Sequence, residues 1–192
     1  MIVDYLRDNL DRESTGIACV FCDHNDQQTQ TASSMISSIM KQLVQGQKDF
    51  PDSFPVAVTR LHQKHKKLET LPSFAERMKL LNSVVADFSE VFIVIDALDE
   101  CREGENTRKF VIEGIQALSK DTHIMITSRN LPQIEKELKD WPQLEIWADD
   151  GDIQRYLEAH MEDDSDLAEV IKDDQELRNC IIKKIQQMSK GM

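Results

Sequence analysis

The run Val91-Phe-Ile-Val-Ile-Asp96-Ala-Leu-Asp99-Glu100-Cys101 constrains the fold of this chain more than any other stretch. Five consecutive apolar residues, 91–95, leave no polar face, so the segment does not suit an antiparallel strand with one side in water. It reads as a parallel strand covered by helices on both sides, and that reading commits the surrounding chain to an α/β architecture. Asp96 then falls at the strand's carboxyl end, where open α/β sheets bind their ligands. A carboxylate there can hold Mg2+, directly or through water, and Asp99 or Glu100 follows closely enough to polarise an attacking water.

The neighbouring segments alternate in period. Residues 16–23 form a short apolar run ending on an acid and predict a first strand. From about Gln28 the stripe Met35, Ile36, Ile39, Met40, Leu43 and Val44 predicts a long amphipathic helix. Pro51 and Pro55 interrupt it, and 58–67 predicts another helix carrying the cluster His62-Gln-Lys-His-Lys-Lys67, most simply a solvated basic face. Pro72-Ser73 reads as a helix start, with Phe74, Met78, Leu81, Val85 and Phe88 as its stripe. Beyond the central run, 106–118 predicts a helix with Phe110, Val111, Ile115 and Leu118 turned inward, and 123–127 a third buried strand with Ser128-Arg129 at its tip. A helix near Pro132 and a fourth strand over 144–148 follow, and after Asp152 only helical patterns remain. The expected organisation is an α/β core over 1–150, with a parallel sheet and right-handed crossovers, and a small helical subdomain over 151–192.

Charge and composition narrow the function classes. With 23 Lys plus Arg against 35 Asp plus Glu, the formal net charge is −12, which disfavours a general affinity for nucleic acid or anionic membrane. No apolar run approaches a bilayer span, and the expected location is the cytoplasm. The thiols at 19, 22, 101 and 180 fit reduced structural cysteines. Cys19-x-x-Cys22 with His62-x-x-His65 also admits a metal reading, but residues three apart on a strand point to opposite faces and the spacing matches no familiar zinc module.

Taken together, Phe21-Cys-Asp-His24, Gln30-Thr31, the helix over 39–43, the 91–101 run, Ile126-Thr-Ser-Arg129 and Asp152-Ile-Gln-Arg-Tyr-Leu157 resemble fungal NACHT domains. These are NTPase modules of STAND-class signalling proteins and include the nephrocystin-type N-terminal domains; the resemblance covers nearly the whole chain. It implies that 91–101 is a Walker B segment, that Asp96 orders Mg2+, that Asp99 and Glu100 position or activate water, and that Arg129 is a sensor reaching the γ-phosphate of ATP or GTP. Residues 152–157 then resemble the entry to a helical lid. The implied role is a nucleotide-dependent oligomerisation switch in fungal self/non-self or immune-like signalling, with further copies or full-length NACHT proteins as partners.

One part of that pattern is missing. A phosphate cradle needs Gly-x-x-x-x-Gly-Lys-Ser/Thr, because successive backbone amides and a lysine hold the β- and γ-phosphates, and none of the six glycines begins such a run. The sequence therefore reads as a P-loop NTPase-like fold lacking its first strand and P-loop: a fragment of a longer receptor, inactive as an enzyme and poor at holding nucleotide. In the family the absent strand lies between those matching 123–127 and 144–148, which leaves apolar edges to be joined or exposed. Two other readings stay open. One is a non-catalytic fragment that pairs with full-length NACHT proteins; the other is an unrelated doubly wound binding protein in which Asp96 and Glu100 serve another ligand.

Overall fold

The computed structural model describes residues 2–11, 14–46, 53–101, 106–119, 121–146, 149–163, 165–171 and 174–189. These residues form two compact units, 1–139 and 140–192.

The first unit is built on a parallel sheet of order β1-β2-β3, with β1 at Thr15–Phe21, β2 at Glu90–Asp96 and β3 at Thr122–Ile126. The apolar run becomes β2, the middle strand, paired along β1 from Thr15↔Glu90 to Phe21↔Asp96 and along β3 from Val91↔Thr122 to Ile95↔Ile126. Val91, Ile93, Val94 and Ile95 are buried, as a strand flanked by two neighbours and covered by helices requires. The fold is thus α/β with a parallel sheet flanked by helices.

Helix α1 (Ile2–Asn9) precedes β1, and α2 (Ala32–Gly46) follows it. Helix α2 starts at Ala32 rather than Gln28 because the Thr31 hydroxyl accepts from the Ser34 amide at 3.1 Å and so caps it there. Its buried stripe Met35, Ile36, Ile39 and Leu43 keeps the period read from the sequence. The approach to β1 is close: a Cβ on Gly16 would stand 2.9 Å from Leu43 Cδ2 and 3.2 Å from the Phe88 ring. From the same helix, Gln42 donates to the Cys19 carbonyl at 2.7 Å and accepts from its amide at 3.0 Å, so a side-chain amide satisfies backbone groups of β1.

Helix α3 (Ser53–Leu68) leads to α4 (Phe74–Val85), whose capping box joins Ser73 and Glu76 reciprocally. Glu76 also accepts from Lys64 at 2.5 Å and faces His65 Nε2 at 3.1 Å, which ties the basic cluster of α3 to α4. His65 is therefore buried and engaged rather than part of a solvated face, whereas His62 stays exposed.

Helix α5 (Thr107–Gln116) buries Val111, Ile112 and Ile115. Phe110 departs from the inward-facing expectation, being 45 % exposed, with its ring 5.8 Å from Phe74 near the surface. Its helical phase explains this, since Val111 and Ile115 occupy the centre of the buried face and Phe110 stands at its margin. Strand β3 differs as well. It alternates half-buried and exposed residues instead of being buried throughout, because among the described residues it has one strand neighbour.

Helix α6 (Pro132–Glu137) ends the first unit, its proline in the first turn where a missing amide costs least. The expected fourth strand, 144–148, is not formed over 144–146, where Leu144 is 85 % and Ile146 78 % exposed; the rest of that segment, 147 and 148, lies outside the described residues. An apolar segment becomes a strand only where a neighbour takes its backbone groups, and 144–146 has no ladder partner among the described residues.

The second unit contains α7 (Asp150–Asp163), α8 (Ser165–Ile171) and α9 (Gln175–Ser189). Met161, Ile171 and Ile182 form its core, with Leu157, Leu167 and Ile181 packed against them. No helix among the described residues is long and apolar enough to cross a membrane.

Candidate functional site

The carboxyl ends of β1, β2 and β3 bring the polar residues together. Strand pairing continues past the strands themselves: the Cys22 amide donates to the Asp96 carbonyl at 3.0 Å, Thr127 to Ile95 at 2.9 Å, and Leu98 to Thr127 at 2.9 Å. Between them Ala97 takes a left-handed conformation, φ 54° and ψ 48°, which costs a residue with a Cβ roughly 1–2 kcal/mol. That kink turns the chain into a short 3₁₀ segment at Leu98–Glu100, and Leu98 is fully buried beneath it.

Asp96 points to β3. The Thr127 hydroxyl donates to its Oδ1 at 2.5 Å and accepts from the Ala97 amide at 2.9 Å, so one side chain fixes both the acid and the strained residue after it. Asp99 turns the other way in function. Its Oδ1 accepts from the Arg129 amide at 3.0 Å and its Oδ2 from Arg129 Nε at 2.5 Å. The Asp99 side chain is 3 % exposed, while the Arg129 side chain is 77 % exposed. Burial pulls the Asp99 carboxyl upward, but the hydrogen bonds from the Arg129 amide and guanidinium outweigh it and hold the acid below its ordinary range. The same pairing raises Arg129. An acid so stabilised as a carboxylate is a poor proton acceptor, and each of its oxygens already accepts from Arg129.

Glu100 is the open member, with about a third of its side chain exposed. Its carbonyl accepts from Gln27 Nε2 at 3.0 Å, and its Oε2 accepts from the His24 amide at 3.3 Å. Gln30 braces the other side, donating to the Phe21 carbonyl at 3.1 Å and accepting from the Asp23 amide at 3.1 Å. Beneath these turns Cys22 and Cys101 are buried together, and the hydrogen bond between them, with burial, pushes the Cys22 thiol up.

All four residues singled out from the sequence, Asp96, Asp99, Glu100 and Arg129, thus lie at one end of the sheet, with Asp99 joined directly to Arg129. Thr127, Gln27 and the Asp23-His24 pair complete the surroundings. Sequence reasoning gave Thr127, Gln27 and Asp23-His24 no role, although polar residues directly after a strand are a usable signal. The Cys19, Cys22, His62 and His65 set does not converge: Cys19 pairs with Gln42, Cys22 with Cys101, and His65 with Thr70 and Glu76. All four cysteines are free thiols.

The fit to a magnesium nucleotide is uneven. Asp96 keeps acceptor capacity beyond the Thr127 bond, which suits a metal that prefers one or two carboxylates and otherwise water or phosphate. No Gly-x-x-x-x-Gly-Lys run accompanies it in the sequence to supply an amide nest for phosphates.

The sequence profile of the family described as Nephrocystin 3, N-terminal, matches residues 1–129, a span that includes all three strands and Asp96, Asp99, Glu100 and Arg129. Neither curated proteins nor solved structures give a match to the chain.

Proposed function

The chain belongs to the nephrocystin 3 N-terminal family, and on that premise we propose that it is the acid-bearing part of a NACHT-type, STAND-class nucleotide switch. Asp96 is the residue that would hold Mg2+, which when bound would neutralise charge on phosphate oxygens. Glu100, the open acid, takes the water-positioning role. Asp99 acts by holding Arg129 and is not the base. The observation that supports this reading is the Asp99–Arg129 pair: an exposed guanidinium is tied, at the mouth of the sheet, to a nearly buried acid. A phosphate arriving there competes for the same fork of donors, so Arg129 exchanges one anion for the other and the turn at Leu98–Glu100 loses its tether.

With no loop lysine or amide nest in these residues, nucleotide attraction is weak and hydrolysis by the chain alone is negligible. Assembly with NACHT-type chains is the partner class implied, and the fungal signalling context belongs to the same proposal. The test is thermal melting under a Mg·ATP titration. Binding at a Kd of about 5 mM gives roughly 0.65 kcal/mol at about 10 mM nucleotide, a shift on the order of 1–3 °C. The shift should require Mg2+ and vanish in Asp96→Ala and Arg129→Ala. No shift at that concentration, or one that survives both substitutions, would remove the nucleotide role from this site.

A further inference from the structure

Three metal-ligating side chains converge beside the strand ends and play no part in the reading above except through Glu100. Asp23, His24 and Glu100 each offer a ligand atom, and these atoms lie within 4.8 Å of one another. His24 Nδ1 stands 3.7 Å from Asp23 Oδ1 and 3.7 Å from Glu100 Oε2. A Zn2+ ion bonds imidazole nitrogen at about 2.0–2.1 Å and carboxylate oxygen at about 2.0–2.2 Å, so tetrahedral ligands stand roughly 3.4 Å apart. The two spacings from His24 exceed that by a few tenths of an ångström, and the Asp23 and Glu100 carboxylates, within 4.8 Å of each other, would close on the ion by side-chain rotation, Asp23 from an exposed position and Glu100 from a half-buried one.

From this geometry we propose that Asp23, His24 and Glu100 form an open, three-ligand site for a divalent transition metal of the zinc type, separate from Asp96. One imidazole with two carboxylates is a mixed nitrogen and oxygen set, which suits zinc, cobalt or nickel better than magnesium or calcium. With three protein ligands, a fourth position is left for water.

The ligands are held by their surroundings before any ion arrives. Asp23 Oδ1 accepts from the Asn25 amide at 2.8 Å and from Asn25 Nδ2 at 2.9 Å, which orients the carboxylate. Both bonds fall on Oδ1, so the lone pairs left for a metal are those of Oδ2. The His24 amide donates to Glu100 Oε2 and the Gln27 side chain to the Glu100 carbonyl, so the turns after β1 and β2 are already in register. Both turns are rooted in buried structure, at Cys22 and Cys101. The opposing influence is Arg129, whose charge is felt by Glu100 while Asp99 holds it; this lowers affinity without occupying a ligand atom. The site rests on ligand geometry and shares Glu100 with the nucleotide reading, but its test reads transition-metal binding alone, so either can fail without the other.

Co2+ is the probe, because its visible d–d bands report tetrahedral coordination. The full chain is titrated with Co2+, and Zn2+ is then measured by displacement. The expected result is one equivalent of Co2+ with tetrahedral bands, displaced by Zn2+ and not by millimolar Mg2+. Affinity should fall at least about tenfold in His24→Ala and in Glu100→Gln, the scale on which even outer-shell changes act. His62→Ala, an exposed histidine outside the cluster, should leave it unchanged. Three results overturn the proposal: no binding tighter than that of His24→Ala, loss of binding in His62→Ala, or the near-ultraviolet charge-transfer band of thiolate ligation, which would move the ion to the cysteines. His24 is largely exposed and Glu100→Gln preserves shape, and unchanged circular dichroism confirms that each variant is folded.

Discussion

Thr127→Val removes one hydroxyl from the mouth of the sheet and almost nothing else, because the two side chains have the same shape. That hydroxyl makes two bonds, one donated to Asp96 at 2.5 Å and one accepted from the Ala97 amide at 2.9 Å. A hydrogen bond to a charged group contributes about 1.5–3 kcal/mol and a neutral one about 0.5–1.5 kcal/mol, for an upper sum of roughly 2–4.5 kcal/mol. Asp96 and Thr127 are half-buried, so water replaces part of the loss. Ala97, however, must still hold a positive φ, now without the acceptor that helps fix its amide. The expected cost is about 2 kcal/mol, which for a protein of this size lowers Tm by roughly 4–8 °C. Urea denaturation of wild type, Thr127→Val and Thr127→Ser measures it. Serine restores the hydroxyl and gives up only a methyl group, so it should recover most of the loss. If valine costs less than about 0.5 kcal/mol, or serine costs as much as valine, the hydroxyl does not hold the turn and the account of Asp96's orientation is wrong.

Two further expectations follow from other contacts. The Lys64 hydrogen bond, followed by those from the Ser73 amide and hydroxyl, lowers the Glu76 carboxyl from 4.5 to about 2, so its contribution to stability is complete above pH 4.5 and is lost as pH falls towards 2. Melting curves across that window should slope less steeply for Glu76→Gln than for wild type, and parallel slopes would discard the network as a source of acid sensitivity. For the thiols, Cys180 is exposed while Cys22 and Cys101 are buried against each other, so a chromogenic disulfide reagent should modify Cys180 at once and reach Cys22 and Cys101 only on unfolding. Rapid labelling of Cys22 or Cys101 in native buffer, located by peptide mapping, would show that the floor of the site opens.

The amino-acid sequence determined the class of this fold through hydrophobic period. Residues 91–95 could satisfy their apolar faces only inside a helix-covered sheet, and the stripe Met35, Ile36, Ile39 and Leu43 could bury only as one face of a helix. The alternation of strand and helix then followed, as did the position of Asp96, because an acid ending such a run must emerge at the strand's carboxyl end. Local pattern could not determine what depends on a neighbour. Residues 144–148 had strand-like composition, yet 144–146 have no ladder partner among the described residues, while 122–126 became a strand alternating between half-buried and exposed residues. Phe110 fitted the helical stripe and yet lies at its margin. In the site, Asp99 and Glu100 are adjacent and chemically alike, and one-dimensional reasoning left their roles interchangeable. The left-handed turn at Ala97 separates them, directing Asp99 onto Arg129, thirty positions along, and leaving Glu100 open beside His24, seventy-six positions back. Burial and hydrogen bonding, which assign a carboxylate its task, are set by such distant residues, and only the tertiary structure brings them to the same place.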